Sequence, residues 1–135
     1  MIILDTSFIV AFYNIRDENH TRAAKLMRDI IAGKYGELFI TDYIFDECMT
    51  VIFIRLKNLS ETVRIGELIR KSTKFLEIEK SDFEEAWKLF KRQKTTAFSF
   101  TDCSTLVIAK ENNIKNIATF DEDFLKIKRI NVIRT

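Results

Sequence analysis

Short apolar runs alternate with longer segments of helical periodicity along this chain of 135 residues. The first run, Ile2 to Leu4, is continuous and is ended by Asp5, which is typical of a strand buried on both faces. Later runs of the same kind predict four more strands, at 38–40, 75–78, 116–119 and 130–133. Because strands that alternate with helices usually form a parallel sheet covered on both faces, the pattern predicts an α/β fold.

The segments between the strands repeat their apolar residues every three or four positions, which indicates amphipathic helices. Predicted helices cover 6–13, about 19–33, 42–57, a stretch from 60, a stretch from 81 and 101–112. Thr41 or Asp42 is the expected cap of the third helix, and Ser81 of the fifth. No linker or internal repeat interrupts the pattern, so residues 1–135 are predicted to form a single domain.

Composition disfavours several kinds of site. The hydrophobic fraction of 47% is enough for a packed core. The three glycines are not clustered, which disfavours phosphate loops and dinucleotide-binding turns. A single histidine, His20, is expected at a helix start or on the surface, and with Cys48 and Cys103 it provides too few ligands for a zinc site. The net charge of +2 neither indicates nor excludes binding to nucleic acid.

The longest run without a charged residue, Thr6 to Ile15, has ten residues, whereas a bilayer-spanning helix needs roughly 20. The start of the chain lacks the basic region and cleavage site of a signal peptide. Two cysteines are too few for a disulfide scaffold. We therefore expect a reduced, cytoplasmic protein that does not contact a membrane.

Four carboxylates stand where the predicted fold is otherwise apolar. Asp5 directly follows the first strand, and Asp121 follows the fourth. Glu47 lies on a mostly apolar helical face, and Asp102 lies in the first turn of another helix. Each also has an ordinary structural interpretation: helix caps for Asp5 and Asp121, an ion pair with Arg55 or another cation for Glu47, and a capping box with Ser99 for Asp102.

The predicted sheet brings these carboxylates together, because Asp5, Asp102 and Asp121 fall at one edge and Glu47 lies one turn into a helix that leaves it. Clustered carboxylates repel one another and raise each other's pKa values. A divalent cation removes that penalty, and a site made only of oxygen ligands favours Mg²⁺ or Mn²⁺. Such a site can hydrolyse phosphodiesters without a protein nucleophile.

Four segments resemble the acidic motifs of PIN-domain nucleases in order and spacing across essentially the whole chain. They are Ile3–Ser7, Glu47 on an early helix, Phe98–Asp102 and Ala118–Phe124. The segment Asn19–Ala24 is also similar to the one that follows the first helix in that family. A single domain of this length most resembles the VapC toxins of VapBC toxin–antitoxin pairs.

The resemblance implies a three-layer α/β/α fold with a central, mainly parallel sheet, and an Mg²⁺- or Mn²⁺-dependent endoribonuclease. Asp5, Glu47, Asp102 and Asp121 would then be the catalytic, metal-binding acids. Asp123 would be either a further metal ligand or a solvated neighbour. Expected polar support comes from Thr6 or Ser7, Thr101 and Thr119. Cys103 stands where the family commonly has a small residue such as alanine, which affects packing behind Asp102 rather than the metal ligands.

The resemblance also implies an RNA substrate, an antitoxin protein that sends an acidic or arginine-tipped segment into the cleft, and a homodimer. The apolar helices between Tyr43 and Leu68 are the candidate partner surface. A non-catalytic PIN-like module that binds RNA or protein is the alternative function. A phospho-accepting receiver domain fits less well, because Asp102 and Asp121 have no place in it.

Two groups of cations and some aromatic residues are candidates for contacts with RNA. The cations are Lys88, Lys91, Arg92 and Lys94, and then Lys126, Lys128 and Arg129. Cations of this kind neutralise phosphates, and aromatic rings such as those of Tyr43, Phe98 and Phe100 can stack on unpaired bases. The ordinary alternatives are solvated helix faces for the cations and core positions for the aromatic residues.

Overall fold

The computed structural model describes all 135 residues. Its strands are β1 (Ile2–Leu4), β2 (Leu38–Thr41), β3 (Lys74–Leu76), β4 (Asn116–Ala118) and β5 (Asn131–Ile133). Its α-helices are α1 (Thr6–Tyr13), α2 (His20–Ile31), α3 (Asp42–Leu56), α4 (Leu59–Ser72), α5 (Lys80–Lys91) and α6 (Phe100–Glu111), and a 3₁₀ helix covers Glu122–Lys126. Every predicted element is present, with ends that differ by one or two residues. His20 begins α2, as expected.

The sheet has the strand order β3-β2-β1-β4-β5, and every neighbouring pair is parallel. The central strand β1 pairs with β2 on one side and with β4 on the other. Strands β2 and β3 therefore lie on one side of β1, and β4 and β5 lie on the other, so the strand order reverses at β1. In parallel sheets, ligands bind at such a point, beyond the carboxyl ends of the strands. Leu4 is in register with Ala118, so Asp5 and Thr119, the next residues, lie side by side at that edge.

Burial of β1 explains why its three residues are all apolar. Ile2 and Ile3 are inaccessible to solvent, and Leu4 is almost so, because helices flank the sheet. Burying one such side chain stabilises the fold by about 1.5–3 kcal/mol. Phe8 and Ile9 of α1 are equally buried against this strand region. The position of Asp5 is therefore fixed by a rigid apolar strand before it and a buried helix after it.

Of the two helix caps expected at α3 and α5, the structure shows the first and not the second. Thr41 caps α3, because its Oγ1 accepts the N–H of Ile44 at 3.0 Å. The predicted cap at Ser81 is wrong, since α5 begins one residue earlier, at Lys80. Instead, Asp82 Oδ2 accepts the N–H of Glu79 at 2.9 Å. A carboxylate at the first turn stabilises the helix dipole better than a hydroxyl does, which favours this start.

The apolar face of α5 is only partly covered. Ala86 is fully buried, but Phe83, Trp87 and Phe90 are between 38% and 44% exposed. Their rings pack on one another and on Phe100 at the start of α6. None of the helices has the length and apolarity that crossing a membrane would require.

Candidate active site

A cleft of about 660 Å³ opens at the carboxyl edge of the sheet and runs between α1 and α3. All four predicted acids line it: Asp5, Glu47, Asp102 and Asp121. They come from four separate parts of the chain: directly after β1, in the second turn of α3, in the first turn of α6, and in the segment that follows β4. The convergence that the sequence predicted is therefore present in the fold.

Asp5 is the deepest of the four acids, with only 2% of its surface exposed. It stands at the N-cap position of α1, yet its side chain caps no N–H group. Its Oδ2 accepts hydrogen bonds from Thr119 Oγ1 at 2.7 Å and from Ser7 Oγ at 3.1 Å. Its Oδ1 is buried without any hydrogen-bond partner. The interpretation of Asp5 as a helix cap is therefore wrong, and one carboxylate oxygen is left for another ligand.

Burial raises the pKa of Asp5 from its usual 3.8 to about 6, even though the hydroxyls of Thr119 and Ser7 favour the charged form. The nearby negative charge of Glu47 adds to this rise. In the absence of a cation, Asp5 is thus a carboxylate held in surroundings that disfavour its charge.

Ser7 and Thr119 form a hydroxyl network that joins the ends of β1 and β4. Their oxygens lie 3.1 Å apart, and both contact the same oxygen of Asp5. Ser7 Oγ also accepts the N–H of Phe120, and Thr119 Oγ1 accepts the N–H of Asp121, each at 3.0 Å. The network therefore holds Asp5 and the segment that carries Asp121 in a fixed relation. This is the polar support that was expected of Ser7 and Thr119.

Asp102 combines a structural role with a place in the cleft. It forms the predicted capping box, since its Oδ2 accepts the N–H of Ser99 at 2.9 Å and Ser99 Oγ accepts the N–H of Asp102 at 3.0 Å. The side chain is 9% exposed and lines the cleft as well. Burial, and then repulsion by Asp5 and Asp121, raise its pKa to about 7. The capping box and the cleft position are thus compatible in one residue.

Glu47 is half-buried and faces the cleft without an ion-pair partner. The alternative that paired it with Arg55 is wrong, because Arg55 Nη1 lies 3.4 Å from Asp17 Oδ2 instead. Glu47 and Arg55 are eight residues apart on α3, which is about 12 Å along the helix axis. Their side chains are therefore not neighbours in the way that residues three or four positions apart are. The loop that carries Asp17 supplies the closer carboxylate.

Asp121 caps the 3₁₀ helix, as its ordinary interpretation required, because its Oδ1 accepts the N–H of Asp123 at 2.9 Å. It nevertheless lines the cleft. Asp123 does not line it. Its Oδ2 accepts the N–H of Ala97 at 2.7 Å, and its Oδ1 lies 2.8 Å from Lys126 Nζ. These contacts hold the pKa of Asp123 below its usual range.

Both oxygens of Asp123 are thus engaged outside the cleft, which favours the alternative of a neighbour over that of a further metal ligand. Thr101, expected to give polar support near the acids, does not line the cleft, and its carbonyl accepts the hydroxyls of Ser104 and Thr105. Thr6 is buried in the cleft wall, and its Oγ1 has no hydrogen-bond partner.

Two features of the cleft bear on whether it can hold a divalent cation: the unpaired Oδ1 of Asp5 and the negative charge of the four acids. No group of three or more histidine, cysteine, aspartate or glutamate side chains is arranged as a ready metal centre. However, Asp5 Oδ1 is a buried acceptor without a donor, and leaving such a group unpaired costs free energy. The four acids offer only oxygen ligands, which suit hard cations such as Mg²⁺ and Mn²⁺. The residues present therefore fit a divalent cation bound next to Asp5.

The two thiols do not offer an alternative nucleophile. Burial, together with the charges of Asp5 and Glu47, raises the pKa of Cys48 far above its usual value. Burial beside Asp102 raises the pKa of Cys103 to about 11. Since only the thiolate is strongly nucleophilic, both cysteines are inert near neutral pH.

The predicted cation groups do not reach the acidic cleft. Lys88, Arg92 and Arg129 line a separate groove between α5 and α6, and Lys126 pairs with Asp123. Phe98 is buried in the core against Phe124, so the expectation that it stacks on bases is wrong. 

Sequence reasoning missed the loop at residues 14–19, which closes the far end of the cleft with Arg16, Asp17 and Glu18. Arg55 also lines this end. The available signal was a polar segment directly after the short first helix, together with the spacing of Glu47, Val51 and Arg55 on one face of α3.

Comparisons with known proteins agree with this architecture. A family model described as the PIN domain matches residues 2–130. A VapC ribonuclease of Archaeoglobus fulgidus is 29% identical over 126 residues, which cover 90% of this chain and 78% of that protein. The crystal structure of Mycobacterium tuberculosis VapC20, a sarcin–ricin-loop-cleaving toxin, matches with a TM-score of 0.88 and 22% identity over the whole of both chains. Rickettsia felis VapBC2, solved with a DNA fragment of its promoter, matches with a TM-score of 0.71 and 14% identity over 98% of each chain.

Proposed function

The chain belongs to the PIN-domain family, and on that premise we propose that it is a divalent-metal-dependent endoribonuclease of the VapC toxin type. The observation that carries the proposal is the convergence of Asp5, Glu47, Asp102 and Asp121 on one cleft, with a buried and unpartnered oxygen on Asp5. The similarity to a VapC ribonuclease supports RNA as the substrate.

The four acids would hold Mg²⁺ or Mn²⁺ in the cleft, with Asp5 Oδ1 as a ligand. A bound divalent cation activates water and neutralises the charge that develops on a phosphodiester. The Ser7–Thr119 network orients Asp5, and the capping box orients Asp102, so two of the ligands are held rigidly. One carboxylate accepts the proton of the attacking water, and hydrolysis leaves 3′-hydroxyl and 5′-phosphate ends.

A metal-titrated cleavage assay on total tRNA and rRNA tests this proposal. Purified protein is expected to cleave RNA with Mg²⁺ or Mn²⁺ and to lose activity in excess EDTA. Asp102→Asn should reduce cleavage by at least about 100-fold, which is the order expected for losing a group that stabilises the transition state. Asp46→Asn is the matched control, because Asp46 precedes Glu47 on α3 but is exposed outside the cleft.

Full cleavage by Asp102→Asn, or full activity in EDTA, would contradict the assignment. A folded wild-type protein that binds RNA or a partner without cleaving it would support the non-catalytic alternative.

The protein would also act with partners, as the VapBC2 match suggests for the family. The first proposed partner is an antitoxin. Because carboxylates are in excess in the cleft, an antitoxin segment that enters it with an arginine is favoured over an acidic segment. A second copy of the chain is the other. Exposed apolar side chains on α3 and α4 support the partner surface expected between Tyr43 and Leu68; they are Phe53, Ile54, Leu59, Val63 and Leu68.

A further inference from the structure

The cleft has two chemically different ends. The charged residues at the sheet edge are all acids, among them Asp5 and Asp102. The far end, formed by the loop at residues 14–19 and the last turn of α3, carries both cations of the cleft, Arg16 and Arg55, together with the carboxylates of Asp17 and Glu18. In total the cleft is lined by six carboxylates and two guanidiniums, which is a formal excess of four negative charges.

A polyanion such as RNA is repelled by such a surface except where cations neutralise its phosphates. Divalent cations would neutralise the phosphates at the acidic end, which is where the proposed function places the scissile bond. Away from that end, Arg16 and Arg55 are the only cationic side chains that line the cleft. The strand beside the scissile bond therefore meets positive protein charge only at these two residues.

The position of Arg55 is built into the helix that carries Glu47. Glu47, Val51 and Arg55 follow one another at intervals of four residues, so they share one face of α3, and all three line the cleft. The eight residues from Glu47 to Arg55 correspond to about 12 Å along the axis. Arg55 is thus held on the same wall as a proposed metal ligand, two helical turns from it.

Asp17 holds the Arg55 guanidinium at the cleft in the RNA-free protein. Its Oδ2 lies 3.4 Å from Arg55 Nη1, while its Oδ1 accepts the N–H of Asn19 at 2.8 Å, which orders the loop. Asp17 is 14% exposed, whereas Arg55 is 52% exposed and can turn toward a ligand. Arg16 is exposed and takes part in none of the ion pairs of the protein.

We infer that Arg16 and Arg55 form a phosphate-binding subsite of the cleft, which takes a backbone phosphate of the RNA strand next to the scissile bond. The inference rests on the proposed function and specifies how the substrate is held. Arginine suits this task, because its planar guanidinium can donate two parallel hydrogen bonds to a phosphate. Contacts to phosphates position the strand without selecting its sequence, so sequence preference must come from elsewhere.

Equilibrium binding tests the subsite separately from cleavage. A fluorescent single-stranded oligoribonucleotide is titrated with the full chain carrying Asp102→Asn, which should leave the RNA intact, and anisotropy is measured at several salt concentrations in Mg²⁺. Adding Arg55→Gln or Arg16→Gln is expected to weaken binding roughly tenfold, as for the loss of a charged hydrogen bond. Each loss should lower the slope of log affinity against log salt by about 0.7, the value for one phosphate contact on a single strand.

Arg92→Gln is the matched control, because Arg92 belongs to a predicted cation group but lines the groove between α5 and α6. It should leave both affinity and salt slope unchanged. In the otherwise wild-type enzyme, Arg55→Gln should raise KM by a similar factor while kcat changes by less than about threefold.

Asp17→Asn separates phosphate binding from a merely structural ion pair. It removes a negative charge and frees Arg55, so RNA affinity should stay the same or increase. If the pair only held the loop in place, Asp17→Asn and Arg55→Gln would instead weaken binding equally. The melting temperature of Arg55→Gln should fall by no more than a few degrees, since an exposed ion pair contributes about 0.2–1 kcal/mol.

An unchanged affinity and salt slope in both arginine variants, in a protein that still cleaves RNA, would overturn the subsite and leave the proposed function standing. The same would follow if Arg92→Gln alone lowered the slope, because RNA would then run over the groove between α5 and α6. A folded wild-type protein that neither binds nor cleaves RNA would overturn both proposals together.

Discussion

Replacing Asp102 by asparagine should stabilise the metal-free protein while it abolishes activity. In the folded chain Asp102 is nearly buried and lies near Asp5 and Asp121. Its ionised form is disfavoured by burial first and by the two neighbouring charges next. Asparagine has almost the same shape and keeps an oxygen that can accept the N–H of Ser99, so the capping box can persist while the charge is removed.

The magnitude follows from the pKa of Asp102. The difference between its usual 3.8 and about 7 in the folded state corresponds to about 4 kcal/mol. The Asp102→Asn protein does not gain all of this free energy of unfolding, because the asparagine amide is itself a nearly buried polar group. In addition, the titrations of Asp5 and Asp102 are linked, so the shift does not belong to Asp102 alone. We therefore expect a stabilisation of about 1–3 kcal/mol at pH 8. For a chain of this length, that is an increase in melting temperature of roughly 4–10 °C.

The pH dependence has a definite sign. The pKa of Asp102 is higher in the folded chain than in the unfolded chain, so the folded chain holds the proton more tightly between these values. The penalty for the charge is complete above pH 7 and decreases as the pH falls toward 4. The gain in the free energy of unfolding of Asp102→Asn over the wild type should therefore be largest at pH 8 and less than half as large at pH 5.

Thermal unfolding of both proteins in EDTA, at pH 8 and at pH 5, measures this effect, and a second pair of scans with Mn²⁺ tests its cause. The cation should stabilise the wild type and should stabilise Asp102→Asn less, since a ligand that binds only the folded state raises stability by RT ln(1 + [L]/Kd), which falls as the affinity falls. A wild type that is more stable than Asp102→Asn in EDTA at pH 8 would refute the reasoning.

The remaining predictions concern the metal and the assembly. Glu47→Gln should weaken Mn²⁺ binding in calorimetry by roughly 10-fold or more, as expected when a hard cation loses a charged oxygen ligand. Asp46→Asn should bind like the wild type, and equal affinities in all three proteins would remove Glu47 from the site. Sedimentation of the chain alone should show a dimer, and Phe53→Ser with Ile54→Ser should shift it toward the monomer, because both side chains are exposed apolar groups at the end of α3. A wild-type monomer at high concentration would end the dimer proposal.

Much of the fold could be predicted from the sequence, because the apolar runs that indicate strands and the helical spacing between them point to the same alternating pattern. Continuous apolar runs such as Ile2–Leu4 become buried parallel strands, and helical spacing marks the segments between them. Since the carboxyl ends of parallel strands share an edge, the sequence pattern alone places residues that directly follow them, such as Asp5, close together.

Asp123 shows where this reasoning ends. Lys126, three residues further on, is a partner that local spacing can suggest, but the N–H of Ala97, 26 residues away, is one that no local pattern specifies. The ion pair of Arg55 shows the same limit, because its partner, Asp17, comes from a loop 38 residues away. Long-range side-chain pairing depends on the relative position of whole elements.

The sequence by itself determined the alternation of strands and helices, the four carboxylates expected at one edge, and a composition with a single histidine in which Asp and Glu are the abundant candidate ligands. These features follow from residue type and from periodicities of two to four residues, which act locally. Only the tertiary structure decided that Asp5 keeps one oxygen without a donor, that the two predicted cation groups lie away from the cleft, and that Arg16 and Arg55 line its far end. These features depend on how α1, α3 and the loop between α1 and α2 pack together, because burial and ion pairing are properties of groups that meet in space.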